Sequence, residues 1–483
     1  MKNAKKLVLA LFIVACMLAA VGCKKKTTNE TTPTPTQEVK PTDEVKPTGE
    51  VTTATPTPED KRDCNGIVVT LLDWWSDPEK WDDPGSNQYN IDFFDMLHEA
   101  ETAHNFKFKR KNAEYGWGNS YIEASMLSIQ NNTPDGQIIT MDNRWIASLL
   151  SNGQFTDVSK ATTVDWNDAK WNAKVKEIMT INGGLYGFAA GTEARTGVFF
   201  NKAIFKQNGV DPETPYDLQK EGKWSWDEYL KLCKKLTKDT DNDGVVDLYA
   251  VAGQAYIVAF GALQSNGTFV IEKDDSGLLR LNVDDPNVLN ALNFVRNLAD
   301  FGYFMPTPEG AEWDWFKTAF YDGKTSMYIE EEWADTQEIR VKAPQLDYGF
   351  VGFPYGPALG KQVSIIRENI LFVPKCDATK DVVDDILYAY NWYTTVPADY
   401  VDDENRWKAS YDWKFNDDRA VDETIRLMVV EGDQYMYAGT LIPDFSDQWC
   451  IDLQNGKTAA QVIEENTELW TTEIADFNAK FQK

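Results

Sequence analysis

Two hydrophobic periods alternate along the chain after residue 64. Strand-like runs, namely GIVVTLLDW from Gly66, FKFKRK from Phe106 and DGQIITMD from Asp135, are separated by segments whose apolar residues recur every three or four positions. IDFFDMLHEAETAH and residues 121–130 have this helical spacing. Strands that alternate with helices predict a parallel or mixed α/β sheet.

The second half of the chain repeats these signals. Ser225 and Glu228 predict a capping box for the helix WDEYLKLCKKL, in which Cys233 lies on the apolar stripe. The segment PNVLNALNFVRNLADFGY predicts a helix whose core face contains Leu289, Leu292, Val295 and Leu298. FYDGKTSMYIEEEW predicts a helix end, a glycine turn and a strand.

The N-terminus carries an export signal. Three lysines precede the apolar run LVLALFIVACML, which is too short for a membrane span, and AVGC follows with Gly22 before Cys23. This pattern predicts a lipoprotein signal peptide over 1–22 and a lipidated Cys23, although Ala20 stands where a lipobox more often has Leu. An uncleaved anchor helix is the alternative.

A segment rich in Thr, Pro, Glu and Val follows, and it contains almost no bulky apolar side chain. We interpret residues 23–63 as a lipidated cysteine followed by an extended tether, which holds a folded body near the membrane. More than four hundred residues remain, which is too many for one core and predicts two lobes.

Composition limits the class of ligand. The formal net charge of −28 argues against nucleic acid or an anionic lipid surface, so membrane contact is expected through the lipid anchor alone. Only His98 and His104 are present, which disfavours a histidine-based catalytic centre or zinc site, and no catalytic cofactor is predicted. The 17 Trp, 20 Tyr and 24 Phe provide many flat apolar faces, on which sugar rings can stack.

The acidic segment KDTDNDGVVD resembles the opening of a calcium-binding loop. Its candidate ligands are the carboxylates of four aspartates and one backbone carbonyl, with Gly244 at the sharp turn: Asp239, Asp241, Asp243, Val245 and Asp247. The closing position, where such a loop has a bidentate Glu, is Ala250. The sequence therefore allows either a structural Ca²⁺ or a solvated acidic turn.

Polar and aromatic residues follow two of the predicted strands. Trp74 and Trp75 come after the first strand, and Asp142, Arg144 and Trp145 come after GQIITM. In open α/β sheets, ligands bind beyond the carboxyl ends of the strands, so these residues are candidates for ligand contact.

The order of the segments resembles the extracellular solute-binding proteins of carbohydrate ABC importers, the family that includes maltose-binding protein. The resemblance rests on the lipobox and on FFNKAIFKQNGVD, WSWDEYLKLCKKLTKDTDNDGVVD, FYDGKTSMYIEEEW, DYGFVGFPYGP and GKTAAQVIEE. It implies a two-lobed periplasmic-binding-protein-like fold of type II with a hinge of several crossings. The implied lobes are 64–188 plus 354–405 (N-lobe) and 189–353 plus 406–483 (C-lobe), with crossings near Phe188, near Gly352 and after Pro374.

The resemblance also implies ligand contacts. Glu193 in GTEARTG falls on a family position that meets sugar hydroxyls, and Arg195 follows it; Trp333 falls on a stacking position. Trp449 in IPDFSDQW has the form of another stacking position, and Asn266 lies where C-lobe contacts are expected. Each could instead be a core residue or a solvated rim charge.

The resulting prediction is a lipid-anchored receptor that closes on a neutral oligosaccharide and delivers it to the transmembrane permease of an ABC importer. It would be a monomer on the outer face of the cell membrane, as on a Gram-positive surface, with no enzymatic activity. Two alternatives stay open: a secreted glycoside hydrolase, which needs two carboxylates across a scissile bond, and the same fold binding a peptide or another non-sugar solute.

Overall fold

The computed structural model describes residues 62–442 and 448–482. The predicted signal peptide, the lipidation site at Cys23 and the tether as far as residue 61 lie outside the described residues. Arg62 and Asp63, which the sequence analysis places in the tether, pack against the body. Arg62 Nη2 lies 2.5 Å from Asp385 Oδ1, and Asn105 Nδ2 donates to Asp63 Oδ1 at 2.8 Å.

Short strands occur throughout the described chain. They are β1 (Ile67–Asp73), β2 (Phe106–Asn112), β3 (Ile138–Met141), β4 (Thr180–Ile181), β5 (Gly184–Leu185), β6 (Thr196–Asn201), β7 (Tyr249–Gly253), β8 (Ile271–Lys273), β9 (Leu279–Leu281), β10 (Thr325–Glu331), β11 (Tyr348–Gly352), β12 (Ser364–Ile365), β13 (Ile370–Phe372) and β14 (Gln434–Tyr435).

Helices separate most of these strands. The α-helices are α1 (Gln88–His104), α2 (Asn119–Gln130), α3 (Ile146–Ser151), α4 (Ala173–Met179), α5 (Lys202–Gln207), α6 (Thr214–Lys220), α7 (Trp226–Leu236), α8 (Ala255–Ser265), α9 (Pro286–Asp300), α10 (Trp315–Tyr321), α11 (Arg340–Lys342), α12 (Val383–Tyr393), α13 (Gln448–Gln454) and α14 (Ala459–Phe481). Short π-helical or 3-10 segments lie at Asp335–Ile339, Ala398–Tyr400, Arg406–Ser410, Ala420–Ile425, Leu427–Glu431 and Gly439–Leu441.

Two four-stranded sheets organise the body. The first has the order β13-β3-β1-β2, in which β1 runs parallel to β2 and β3, and β13 is antiparallel to β3. The second has the order β11-β6-β10-β7, in which β10 is parallel to β7 and β6 is antiparallel to both of its neighbours. Both sheets are mixed and flanked by helices, which confirms the predicted α/β class.

The chain passes between the two sheets through irregular segments. Residues 189–195 lead from Phe188, which pairs with Leu371 beside the first sheet, to β6 of the second. Residues 353–369 return from β11 to β13, and within them β12 pairs in parallel with β14. We call the segment 189–195 the outward linker and 353–369 the return linker.

Local sequence explains most element ends. The β4–β5 hairpin turns at Asn182 and Gly183, whose φ angles of 46° and 82° suit the two central positions of a type I′ turn. Ser225 caps α7 as predicted, since its side chain accepts from Glu228 N at 3.4 Å, whereas the Glu228 carboxylate pairs with Lys231 instead of completing a capping box.

The predicted core faces are mostly observed. Cys233 is buried on α7, and Leu292, Val295 and Leu298 are buried on α9. Leu289 is 39% exposed, because α9 turns Val288 rather than Leu289 into the core. No helix in the described ranges has both the length and the apolar character needed to cross a membrane.

The capping box of α14 provides a test of local stability. Thr458 Oγ1 accepts from Gln461 N at 3.2 Å, and Gln461 Oε1 accepts from Thr458 N at 2.9 Å. Thr458→Ala should lower the free energy of unfolding by about 1 kcal/mol, because it removes the side-chain acceptor for the first turn. Chemical denaturation followed by far-UV circular dichroism would measure the change. Thr471→Ala, an exposed threonine in the same helix, is the matched control; an equal loss in both variants would contradict the capping role.

Candidate functional site

Polar residues lie at the carboxyl ends of two central strands, and Asp142 and Arg144 among them were predicted from the sequence. Asp142 and Arg144 follow β3 of the first sheet, and Glu331 ends β10 of the second. The outward linker contributes Glu193 and Arg195. The structure brings these five side chains into one largely buried charged network.

Arg367 of the return linker lies at the centre of this network. Its Nε is 3.0 Å from Glu331 Oε1, its Nη2 is 3.7 Å from Asp142 Oδ2, and its Nη1 donates to Tyr256 Oη at 2.6 Å. One guanidinium therefore contacts both sheets and the start of α8. The sequence analysis did not select Arg367, because it lies in an irregular segment with no hydrophobic period to place it.

Arg144 joins the charged network to aromatic rings. Its Nε and Nη2 donate to the two carboxylate oxygens of Asp142 at 3.0 and 3.2 Å. The guanidinium carbon lies 4.9 Å from the ring centroid of Tyr256 and 5.6 Å from that of Trp117, within the range of cation–π contact. Trp117 is 58% exposed and extends the candidate site beyond the residues chosen from sequence.

The outward linker completes the network. Arg195 forms an ion pair with Glu193, and its Nη1 lies 3.6 Å from Glu331 Oε2. Glu193 N donates to Glu368 Oε1 at 2.9 Å, which joins the outward linker to the return linker. Arg144 and Arg195 are therefore both paired with neighbouring acids, and the outward linker is joined to the return linker.

The environment sets opposite protonation preferences for these acids. Burial alone would raise the pKa of Asp142, but the charges of Arg144 and Arg367 outweigh it and hold that pKa well below its usual range. Burial, together with the charge of Glu193, raises the pKa of Glu368 well above its usual range. Burial, assisted by the charge of Glu331, raises the pKa of Glu330 to about 7.

Four tryptophans cluster at the carboxyl edge of the first sheet. The ring centroid of Trp74 lies 4.8 Å from that of Trp75 and 5.5 Å from that of Trp145. The ring centroid of Trp145 lies 4.7 Å from that of Trp117. Trp75 and Trp117 are exposed, whereas Trp74 and Trp145 are partly buried. The three predicted residues Trp74, Trp75 and Trp145 thus form one aromatic surface together with Trp117. We call these four tryptophans the N-lobe aromatic cluster.

Asn143 is a further candidate that the sequence analysis passed over. Its side chain is 1% exposed, and neither Oδ1 nor Nδ2 has a hydrogen-bond partner among the described residues. An unsatisfied buried amide is costly, which makes Asn143 a candidate for a hydrogen bond to a buried water or to a ligand. In the sequence, its position between the predicted residues Asp142 and Arg144 is the feature that indicates a place in the site.

Trp333 lies beyond the end of β10, beside the charged network. Its indole Nε1 donates to Glu331 Oε2 at 2.7 Å, which fixes the ring relative to the network. The side chain is partly buried. Trp333 therefore occupies a position on the second sheet comparable to that of Trp145 on the first.

Two of the predicted contacts, Asn266 and Trp449, are buried in the fold. Asn266 is buried at the end of α8, where its Nδ2 donates to Asn287 O and its Oδ1 accepts from Ala358 N, both at 3.0 Å. Both of its polar groups are used in holding the fold. Trp449 is 2% exposed on α13 and packs at ring-centroid distances of 5.8 Å from Phe260 and 5.9 Å from Trp470, so it is a core residue.

The acidic loop lies between α7 and β7. Carboxylate oxygens of Asp239, Asp241 and Asp247 lie within 4.8 Å of one another, close enough for one cation. Asp243 is not part of this group, and its Oδ1 accepts from Val245 N at 2.8 Å. Three of the four predicted aspartates thus meet the geometric requirement for a cation site.

Comparisons with solved structures show the fold. The ABC substrate-binding protein from Listeria monocytogenes in complex with cycloalternan superposes with a TM-score of 0.57 at 14% identity, covering 85% of this chain and 100% of that one. The extracellular solute-binding protein from Staphylococcus aureus in complex with maltose gives 0.55 at 14% identity, covering 84% and 98%. These matches confirm the predicted two-lobed fold.

Sequence comparison is consistent with this fold. A protein of Brucella abortus (strain 2308), provisionally named a binding protein, is 22% identical over 214 residues, which are 44% of this chain and 48% of that protein. The chain thus matches about half the length of its curated relatives. Residues 111–408, well over half of the chain, match the profile described as bacterial extracellular solute-binding protein. The chain therefore belongs to the family of bacterial extracellular solute-binding proteins.

Proposed function

We propose that this protein is the substrate-binding component of an ABC importer and that it captures a neutral oligosaccharide between its two lobes. The observation that carries the proposal is the meeting of aromatic faces and buried polar groups at the strand ends. The N-lobe aromatic cluster lies on one sheet and Trp333 on the other, with the charged network connecting them. Indole faces suit the C–H surfaces of pyranose rings, while charged side chains suit their hydroxyl groups.

The charges of the site favour a neutral ligand. Asp142 is paired with Arg144 and Arg367, and Glu331 with Arg367 and Arg195. Because each arginine already faces a carboxylate, an ionic ligand would have to displace an existing partner. Hydroxyl groups can instead add hydrogen bonds at Asn143 and at the edges of these ion pairs.

Structural neighbours support a sugar as ligand. The Listeria monocytogenes structure is a complex with cycloalternan, and the Staphylococcus aureus structure is a complex with maltose. A mannotriose complex also superposes on this fold, with a TM-score of 0.54. We extend this ligand class to the present chain on the basis of the shared fold and the aromatic surfaces described above.

Delivery would depend on closure of the lobes. Bending of the linkers would bring Trp333 and the N-lobe aromatic cluster onto the ligand, and the membrane permease would recognise the closed form. A lipid on Cys23 and the tether would keep this monomeric receptor on the outer face of the cell membrane, as on a Gram-positive surface. The folded body itself would make no other contact with lipid.

The function can be tested with the mature chain carrying Cys23→Ser. We expect at least one neutral oligosaccharide in a panel of glucans, mannans and xylans to raise the melting temperature without being hydrolysed. Thermal shift and product analysis in the same wells would measure both outcomes. Release of shorter sugars would identify a glycoside hydrolase, and a response to peptides alone would identify a different solute.

Trp333→Ala should weaken binding of the active sugar by about tenfold or more, because it removes one stacking face. Isothermal titration calorimetry would measure the dissociation constant. Phe301→Ala, which removes a 56% exposed aromatic ring at the end of α9, is the matched control and should bind as the wild type does. Equal affinities for all three proteins would exclude Trp333 from the site.

We also propose that the acidic loop binds a structural Ca²⁺ through Asp239, Asp241 and Asp247. Calcium would neutralise three neighbouring carboxylates and rigidify the segment between α7 and β7. Chelation should lower the melting temperature while leaving sugar affinity nearly unchanged, and Asp241→Asn should abolish the calcium response. Calcium-dependent affinity without a change in melting temperature would contradict this structural role.

The protonation state of the buried acids predicts a pH dependence. Glu330 titrates near 4.5 when unfolded and at about 7 when folded, so its contribution to stability is complete below about pH 4.5 and is lost as the pH rises towards 7. Glu330→Gln should therefore reduce the fall in the free energy of unfolding between about pH 5 and 7. The change can reach about 1.4 kcal/mol per pH unit. Denaturation at several pH values would measure it, with exposed Glu123→Gln as the control; equal slopes in both variants would contradict the assignment.

A further inference from the structure

An exposed tryptophan lies beside the candidate site on the second sheet. Trp313 precedes α10, and 71% of its side chain is accessible to solvent, the highest value among the large apolar residues of the described chain. Its ring contacts Phe316 at a centroid distance of 6.5 Å. A single exposed indole is ordinary on a protein surface, so the significance of Trp313 depends on what lies next to it.

A lysine connects this indole to Trp333. Lys317 Nζ lies 5.0 Å from the ring centroid of Trp313 and 5.9 Å from that of Trp333. The two aromatic faces are therefore near neighbours with a single ammonium group between them. Such a group can donate to sugar hydroxyls while the flanking rings contact the apolar faces of successive sugar units.

The position of Lys317 is fixed by an ion pair with the segment that follows Trp333. Its ammonium pairs with Glu338, whose carboxylate also accepts from Tyr321 Oη at 3.4 Å. Glu338 lies in the π-helical segment Asp335–Ile339, which begins two residues after Trp333; such segments are frequent at functional sites. Because Lys317 and Glu338 are both mostly buried, the position of the ammonium group is set before any ligand binds.

We propose that Trp313 and Lys317 form an outer sugar subsite next to Trp333, so that the protein selects oligosaccharides longer than a disaccharide. This inference rests on the proposed function. A sugar chain is the occupant that fits, because the surface continues from Trp333 and alternates aromatic faces with a fixed hydrogen-bond donor. A protein partner would be expected to need a wider apolar area than one indole offers.

The test compares chain lengths. Titration calorimetry would measure dissociation constants of the mature Cys23→Ser chain for maltose to maltohexaose and for mannobiose to mannohexaose. Wild-type affinity should rise between the disaccharide and the tetrasaccharide of the active series. Trp313→Ala should weaken binding of the tetrasaccharide and longer chains by about tenfold, while changing disaccharide binding less than twofold. Trp313→Tyr, which keeps a ring, should recover part of the loss.

The following outcomes would contradict the proposed outer subsite. Affinity that does not depend on length, or a Trp313→Ala variant that weakens all lengths equally or none, would overturn it while leaving the proposed function intact. Phe301→Ala should match the wild type at every length; a tenfold loss there for long chains would also overturn the assignment to Trp313. Binding of no member of either series, nor of any other sugar in the panel, would overturn the proposed function and this inference together.

Discussion

The buried guanidinium of Arg367 is the interaction on which the arrangement of the two sheets depends. A charge removed from water is costly, and it is tolerated here because Glu331, Asp142 and the Tyr256 hydroxyl surround it. These three partners come from the second sheet, the first sheet and α8. Removing either carboxylate would leave part of this buried charge uncompensated. The network therefore fixes where the return linker lies relative to both sets of strand ends.

The charged network constrains how the two lobes can move. Glu193 and Glu368 join the two linkers through a backbone hydrogen bond, so bending would be distributed over short segments beside the network. The aromatic surfaces lie on the rigid sheets rather than on the linkers. Closure that changes the distance between the indole faces would therefore require the ion pairs of Arg367, which reach both sheets, to rearrange with it. Ligand affinity and lobe closure would share one equilibrium, since each stacking contact formed on closure favours the closed state.

The sequence predicted the parts of the site that follow from periodicity and strand order. Trp74 and Trp145 meet because β1 and β3 are parallel neighbours, which the alternating pattern indicated. Burial was harder to predict, because a polar residue after a helix resembles a ligand contact whether it faces solvent or the core; Asn266 is the example. Arg367 and Asn143 escaped notice for a related reason. Two of the partners of Arg367, Asp142 and Tyr256, are more than a hundred residues away along the chain, and Asn143 is distinguished by a lack of partners that only the fold reveals.

The geometry of the buried acids bears on the choice between binding and hydrolysis. A glycoside hydrolase needs one protonated and one ionised carboxyl group free to face the scissile bond. Glu331 offers Oε2 to Trp333 and Oε1 to Arg367, and Glu330 accepts from Tyr328 Oη and Glu331 N. Glu368 accepts from the backbone of Glu193. The buried acids thus hold other protein groups in place. Carboxylates used in this way orient the Trp333 indole and join the two linkers.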